Sequence, residues 1–136
     1  GTYFQPTLLA DVTEDMAIYK EEVFGPVMCI IRVADDSDEE ALRLVNSSCY
    51  GLGSNVFCKD IRRAESVGQR IRAGMTNVND VALNYMAQSL PFGGVKESGF
   101  GRFAGIEGLR ACCLEKSITS GRATPLPAAL QYPIST

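Results

Sequence analysis

Glu22 and Phe24 are the residues whose types and spacing point most directly to chemistry. They stand in Glu21-Glu22-Val23-Phe24-Gly25-Pro26-Val27, where an acidic pair and an aromatic ring precede a Gly-Pro breaker and the apolar run Val27-Met28-Cys29-Ile30-Ile31. Gly25 permits unusual backbone angles, and Pro26 fixes φ and has no N–H to give to a ladder. The stretch reads as a loop that delivers Glu22 and Phe24 to the mouth of a buried strand. A carboxylate and a ring held there suit a ligand with a diol and a flat ring. Dinucleotides are ligands of that kind, and they bind where strands and loops meet in α/β folds. The competing reading is a turn with a solvated Glu22 and a core Phe24.

Other site chemistry is sparse. The chain has no histidine, which removes Ser-His and Cys-His catalysis. Its five cysteines are odd in number and show no CxxC, so a zinc site is not expected. Cys29 and Cys58 fall in apolar strands and Cys49 on a helix, while the neighbours Cys112 and Cys113 cannot easily bridge to each other. They read as reduced thiols in an intracellular, reducing compartment. The acidic cluster from Asp35 to Glu40 could hold a metal by residue type. Ser37 followed by Glu40 is a capping box, however, and negative charge suits a helix N-terminus, so the cluster reads as a helix start. Gly51-Leu52-Gly53 and Gly99-Phe100-Gly101 are not GxGxxG between a strand and a helix, and no nucleotide loop is assigned to them. Asn46-Ser47-Ser48 fits the glycosylation sequon but lies within a helical stretch of a thiol-bearing chain, and it is set aside.

The elements that must position these residues follow from periodicity. Residues 3–12 read as extended, and Pro6 argues against a central strand. Residues 11–20 read as a polar connection. Residues 27–33 form a continuous apolar run, the pattern of a strand covered on both faces. A helix then opens at Ser37, places Ala41, Leu42, Val45 and Cys49 on one face, and stops at Gly51. Residues 54–58 read as a strand. Asp60 caps a second helix with Ile61, Ala64, Val67 and Ile71 as its stripe, closed by Gly74. Residues 75–78 are a third strand, ending at Asn79-Asp80. This order is an α/β fold built on a parallel βαβαβ unit. Residues 80–90 read as an irregular loop. Residues 91–102 carry four glycines in nine positions and read as a tight, backbone-defined loop. A helix over 103–113, a strand over 114–120 and an extended tail from Gly121 complete the chain.

With 136 residues, 46% of them hydrophobic, the chain is large enough for one modest globular unit. Thirteen basic against sixteen acidic residues give a net charge of −3, with no basic stripe for nucleic acid. No apolar run approaches the roughly 20 residues of a membrane span, and no signal peptide is visible.

Five motifs in register then resemble one family, the NAD(P)-dependent aldehyde dehydrogenases, in their C-terminal portion. They are YFQPTLLADV, EEVFGPV, NSSCYGLGSNVF, AGMTNVN and PFGGVKESGFGR. The run from Gln88 to Cys113 and the tail LQYPI look closer to a eukaryotic branch of plants and fungi, some members of which carry an N-terminal membrane anchor. The resemblance implies that Glu22 holds the hydroxyls of the nicotinamide ribose and that Phe24 packs beside the nicotinamide of NAD or NADP. It implies that Phe92 lies near the aldehyde tunnel, whose variable wall is the loop 80–87, here one residue longer than in common members. It also implies that 114–120 joins subunits into a homodimer or homotetramer. On this footing residues 1–110 belong to a catalytic domain, and 111–136 form an oligomerisation strand and tail.

The family's cysteine nucleophile, which forms a thiohemiacetal, stands in a Gly-Gln-x-Cys context, and its general base in Glu-Leu-Gly-Gly. Neither context occurs here, so no catalytic residue is assigned. A start without Met fits a C-terminal fragment that needs the rest of its parent chain. The rival readings are a semialdehyde or acyl-phosphate reductase of the same fold, and a non-catalytic α/β assembly or regulatory module.

Overall fold

In the computed structural model, residues 1–121 are described; the tail expected beyond Gly121 lies outside them. The elements are β1 (Thr7–Leu9), α1 (Ala17–Lys20), β2 (Val27–Cys29), α2 (Asp38–Ser47), β3 (Tyr50–Gly51), β4 (Gly53–Val56), α3 (Ile61–Arg70), β5 (Met75–Val78), α4 (Leu83–Met86), β6 (Val95–Lys96) and α5 (Gly105–Ala111). No helix among the described residues is long and apolar enough to cross a membrane.

Pro6 and Pro26 each precede a strand, where a missing N–H costs no ladder bond. The strands they introduce, β1 and β2, pair in parallel from Thr7–Val27 to Leu9–Cys29. The long strand expected over 27–33, covered on both faces, is not found. The ladder ends at Leu9–Cys29, and past Asp11, whose φ is 54°, one bond from Val12 N–H to Ile30 O at 3.1 Å remains between the two segments. Both strands are open to solvent, with Met28 64% exposed.

The second half of the expected unit is present. β4 and β5 pair in parallel from Gly53–Met75 to Val56–Val78, and α3 connects them and packs on both. Asp60 caps α3 by accepting from the Arg63 N–H at 3.2 Å. Ala64 is fully buried on its inner face, and Gly68 is buried there against Thr76. The first half does not close, because β2 pairs with β1 and not with β4. α2 packs against α3, and the expected single βαβαβ sheet is replaced by three two-stranded ladders.

Several boundaries also shift. Ser37 caps α2 as expected, its Oγ accepting from Glu40 N–H at 3.2 Å. The helix nevertheless stops at Ser47, so Cys49 lies beyond it and Gly51 is a strand residue, not a helix stop. Short helices α1 and α4 interrupt the segments read as connection and loop. Helix α5 covers less than the expected 103–113, beginning after Ala104 at φ 57°. Residues 114–120 form no ladder among the described residues, and Leu114 is 98% exposed.

β3 pairs with β6 in antiparallel fashion, which brings the Gly-rich loop onto the βαβ unit. Gly51 is buried at that junction. A Cβ there would stand 2.7 Å from Arg72 O and 2.9 Å from Val95 Cγ2. At Gly53 the nearest atom would be Met75 Cε at 3.5 Å, an ordinary contact. Gly51→Ala is therefore expected to lower stability by about 2 kcal/mol through overpacking, and Gly53→Ala by less than about 1 kcal/mol. Denaturant melts of the protein carrying this segment check the contrast; equal losses would refute the steric account.

Candidate functional site

The loop before β2 is locked by its own backbone. Gly25 N–H donates to Val23 O and Val27 N–H to Gly25 O, each at 2.8 Å. These are two successive three-residue turns centred on Phe24 and Pro26, and Pro26 supplies the φ that such a turn needs. The locked loop turns the Phe24 side chain outward, 96% exposed. The alternative of a core Phe24 is therefore not realised within this chain.

Glu22 lines a cavity of about 320 Å³ together with Tyr19, Glu21, Tyr50, Gly51 and Arg72. Phe24 is outside that lining, at the exposed tip of the loop. The carboxylates of Glu21 and Glu22 have no hydrogen-bond or ion-pair partner among the described residues. Their charge reaches the cavity wall. The Tyr50 phenol is pushed above its ordinary value by neighbouring Cys49, then by burial and by the carboxylates of Glu22, Glu97 and Glu21. The Cys49 thiol is likewise pushed up, by desolvation and by Glu97 beside it, the reverse of what a nucleophilic thiolate needs.

Phe92 sits apart from this cavity, at the centre of an aromatic cluster. Its ring meets Tyr85 edge-on at 5.4 Å and Phe103 at 4.8 Å. Paired backbone bonds to Phe103, at 2.8 and 2.9 Å, hold it in place. Tyr85 comes from α4, in the loop 80–87, so the segment read as variable does meet Phe92. Sequence reasoning missed Tyr85 and Phe103; three aromatic residues flanking one glycine loop were the available signal.

Asn79-Asp80, at the carboxyl end of β5, is occupied structurally. The Asn79 amide exchanges two bonds of 2.9 Å with the Cys58 backbone. Asp80 Oδ1 accepts from Ala82 and Leu83 N–H at 2.8 and 2.7 Å. The Gly-rich loop is held likewise, Arg102 Nη1 donating to Gly94 O at 2.8 Å and Gly101 O at 2.6 Å. The acidic start of α2 is engaged by arginine. Asp38 pairs with Arg63 at 2.7 Å, Glu40 with Arg43 at 2.7 Å, and Glu39 with Arg70. Arg43 also holds Glu14 at 2.6 Å.

A parallel strand–helix–strand unit, a backbone-locked loop with the bare Phe24 ring at its tip and Glu22 just before it, and an aromatic cluster on a glycine loop make up a mixed α/β segment. The description "Aldehyde dehydrogenase family" matches residues 1–118. An aldehyde dehydrogenase-like protein of Schizosaccharomyces pombe is 44% identical over 98% of this chain and 26% of its own length. A succinate-semialdehyde dehydrogenase [NADP(+)] of Deinococcus radiodurans is 51% identical over 75% of the chain and 20% of its own length. The crystal structure of an aldehyde dehydrogenase of Mycobacterium tuberculosis complexed with NAD+ superposes with a TM-score of 0.75 at 40% identity, covering 82% of this chain and 22% of that one. The chain belongs to the aldehyde dehydrogenase family. It spans 26% and 20% of the lengths of the Schizosaccharomyces pombe and Deinococcus radiodurans relatives.

The arginine pairs carry a pH signature. Hydrogen bonds from Arg63 and Arg70 hold Asp38 and Glu39 below their ordinary values of 3.8 and 4.5. A carboxyl whose folded pKa is depressed adds stability above its unfolded pKa and loses it as pH falls through the folded one. Asp38→Asn should therefore be less stable than wild type at neutral pH, and the gap should close as pH falls below 3.8. Melting midpoints across that range check it; a gap constant with pH would show that the ion pair does not contribute.

Proposed function

We propose that this chain supplies the nicotinamide-facing loop of an NAD(P)-dependent aldehyde dehydrogenase that oxidises an aldehyde to a carboxylic acid. The observation that carries the reading is a Glu22 carboxylate with no partner among the described residues, standing at a cavity directly before the backbone-locked turn that leaves the Phe24 ring 96% exposed. Two carboxylate oxygens can accept both hydroxyls of a ribose diol, and an aromatic face can lie against a flat ring. Glu22 and Phe24 thus fit NAD or NADP, whose nicotinamide, when bound, takes the hydride. In this reading Glu22 orients the ribose, Phe24 bounds the nicotinamide, and Phe92 with its aromatic neighbours bounds the aldehyde passage. The nucleophile and general base come from residues outside this chain.

Exposure supports a larger protein. Apolar side chains are left bare on β1, β2 and α5, including Leu8, Met28, Ile106 and Leu109. Such patches mark buried contacts, which favours the remainder of a parent chain over a free-standing assembly module. In this reading residues 1–110 belong to the catalytic domain. Residues 114–120 complete a ladder with a second subunit, giving a homodimer or homotetramer.

Two outcomes follow. The isolated chain, mixed with aldehyde and NAD+ or NADP+, should form no reduced cofactor; measurable turnover by the pure chain would overturn the assignment of nucleophile and base elsewhere. In the whole enzyme, Glu22→Gln should weaken cofactor binding about tenfold and slow hydride transfer, the scale of one lost charge-assisted hydrogen bond, with circular dichroism unchanged. Wild-type turnover and cofactor affinity in that variant would remove the ribose role.

A further inference from the structure

α1 has four residues, no buried side chain and no side-chain cap at Met16. A single helical turn does not hold itself in water, because nucleation costs more than so few bonds return. Its position must come from outside. Glu22 inherits that position, since Glu21 N–H closes the helix on Ala17 O at 2.8 Å and Glu22 follows directly.

Side chains attach this segment to α2 at two places. One is the Glu14–Arg43 ion pair, about half exposed on both sides and worth little in water. The other is the Tyr19 hydroxyl, 2.9 Å from Leu44 O and 2.5 Å from Ser47 Oγ. Leu44 O belongs to the last turn of α2, whose carbonyls have no partner within the helix. Ser47 Oγ stands 2.7 Å from the same carbonyl. The protons close in two ways. Either Tyr19 donates to Ser47 and Ser47 to Leu44 O, or Tyr19 donates to Leu44 O and accepts from Ser47. In both, the phenol joins α1 to the end of α2. At that same end Lys96 Nζ donates to Asn46 O at 3.1 Å and Ser48 O at 2.9 Å. A cation suits a helix C-terminus, and this one ties the Gly-rich loop to the same anchor.

We propose that Tyr19 is a positioning residue for Glu22: its hydroxyl, bound at the carboxyl end of α2, holds the one-turn helix that sets the Glu22 carboxylate at the cavity. The inference rests on the reading of Glu22 as the ribose ligand. Tyr19 touches no ligand in this scheme. Without its hydroxyl, α1 loosens and Glu22 samples more positions, so the ordering cost is met when cofactor binds.

The test uses the whole enzyme carrying this segment, with Tyr19→Phe, Ser47→Ala, Glu22→Gln and the double variant Tyr19→Phe/Glu22→Gln. NAD+ and NADP+ are each titrated calorimetrically, and kcat and both KM values are measured. Tyr19→Phe should weaken cofactor binding about three- to tenfold, the scale of one hydrogen bond. It should raise the cofactor KM and leave the aldehyde KM unchanged. Ser47→Ala should move the same quantities less; it leaves the Tyr19 ring in place and carries the comparison if Tyr19→Phe does not fold. On the Glu22→Gln background, Tyr19→Phe should add nothing, because the two act as one unit. If Glu22→Gln weakens binding and Tyr19→Phe does not, this inference alone is overturned. A Tyr19→Phe loss that persists undiminished on the Glu22→Gln background overturns it as well. If Glu22→Gln has no effect, the ribose reading falls and takes this one with it.

Discussion

The backbone of Gly51 is the point on which the described structure turns. Its N–H donates to Ser98 Oγ at 3.0 Å, and its carbonyl accepts from Gly74 N–H at 3.0 Å. Its Cα lies where a side chain would strike Arg72 O and Val95. One residue therefore binds the Gly-rich loop on one side and the start of β5 on the other. The second attachment is backbone to backbone, and the first needs only the Ser98 hydroxyl opposite the Gly51 N–H. The cavity lined by Glu22 is also lined by Gly51, Arg72 and Ser98. The same close approach that assembles the fold thus builds one wall of the candidate site.

Around that node the chain divides into a part that satisfies itself and a part that does not. β4, α3 and β5, with α2 packed on α3, form a closed unit, with Ala64 and Leu42 buried and both helix starts capped. β1, β2 and α5 have regular backbone but bare apolar side chains. Hydrogen bonding and hydrophobic burial are separable here. The ladder between β1 and β2 pairs its own backbone groups, while its side chains lack a covering layer, and two layers are what a stable sheet needs. The exposed strands are thus complete as hydrogen-bonded objects and incomplete as packed ones.

What could be read from the sequence followed the reach of each rule. Ser37 and Asp60 were legible as caps because a cap depends on three or four consecutive residues. β5 was legible because Met75–Val78 is bounded closely on both sides. Gly51 misled, because a glycine after an amphipathic stretch is the usual mark of a helix stop. Its actual role depends on Arg72 and Val95, which lie far along the chain. The pairing of β2 with β1 was equally out of reach, since apolar runs reveal strand character but not the choice of partner. α1 escaped notice because the tether made by its Tyr19 hydroxyl involves residues 25 and 28 positions away. The outward presentation of Phe24 on a turn before β2 was legible from the Gly-Pro breaker. The aromatic contacts of Phe92 were not, since they need Tyr85 and Phe103 brought together by the loop's folding.

The carboxylates themselves sort by partner, and that sorting bears on the site. Glu14, Asp38, Glu39 and Glu40 are all bound to arginines and lie on the helix seam. Glu21 and Glu22 lie in the cavity lining without such partners. In open water an unpartnered carboxylate is cheap, because solvent satisfies its oxygens. Once a covering layer excludes that water, each oxygen left without a donor costs free energy on the scale of a lost charged hydrogen bond. Lys20 and Arg72 line the same cavity without pairing with either acid among the described residues, so those oxygens would still lack donors once water left. In the proposed function the hydroxyls of a bound sugar would supply those donors without removing the charge, and the backbone locked at Phe24 and Pro26 would hold the nearby ring in place against the attached flat ring.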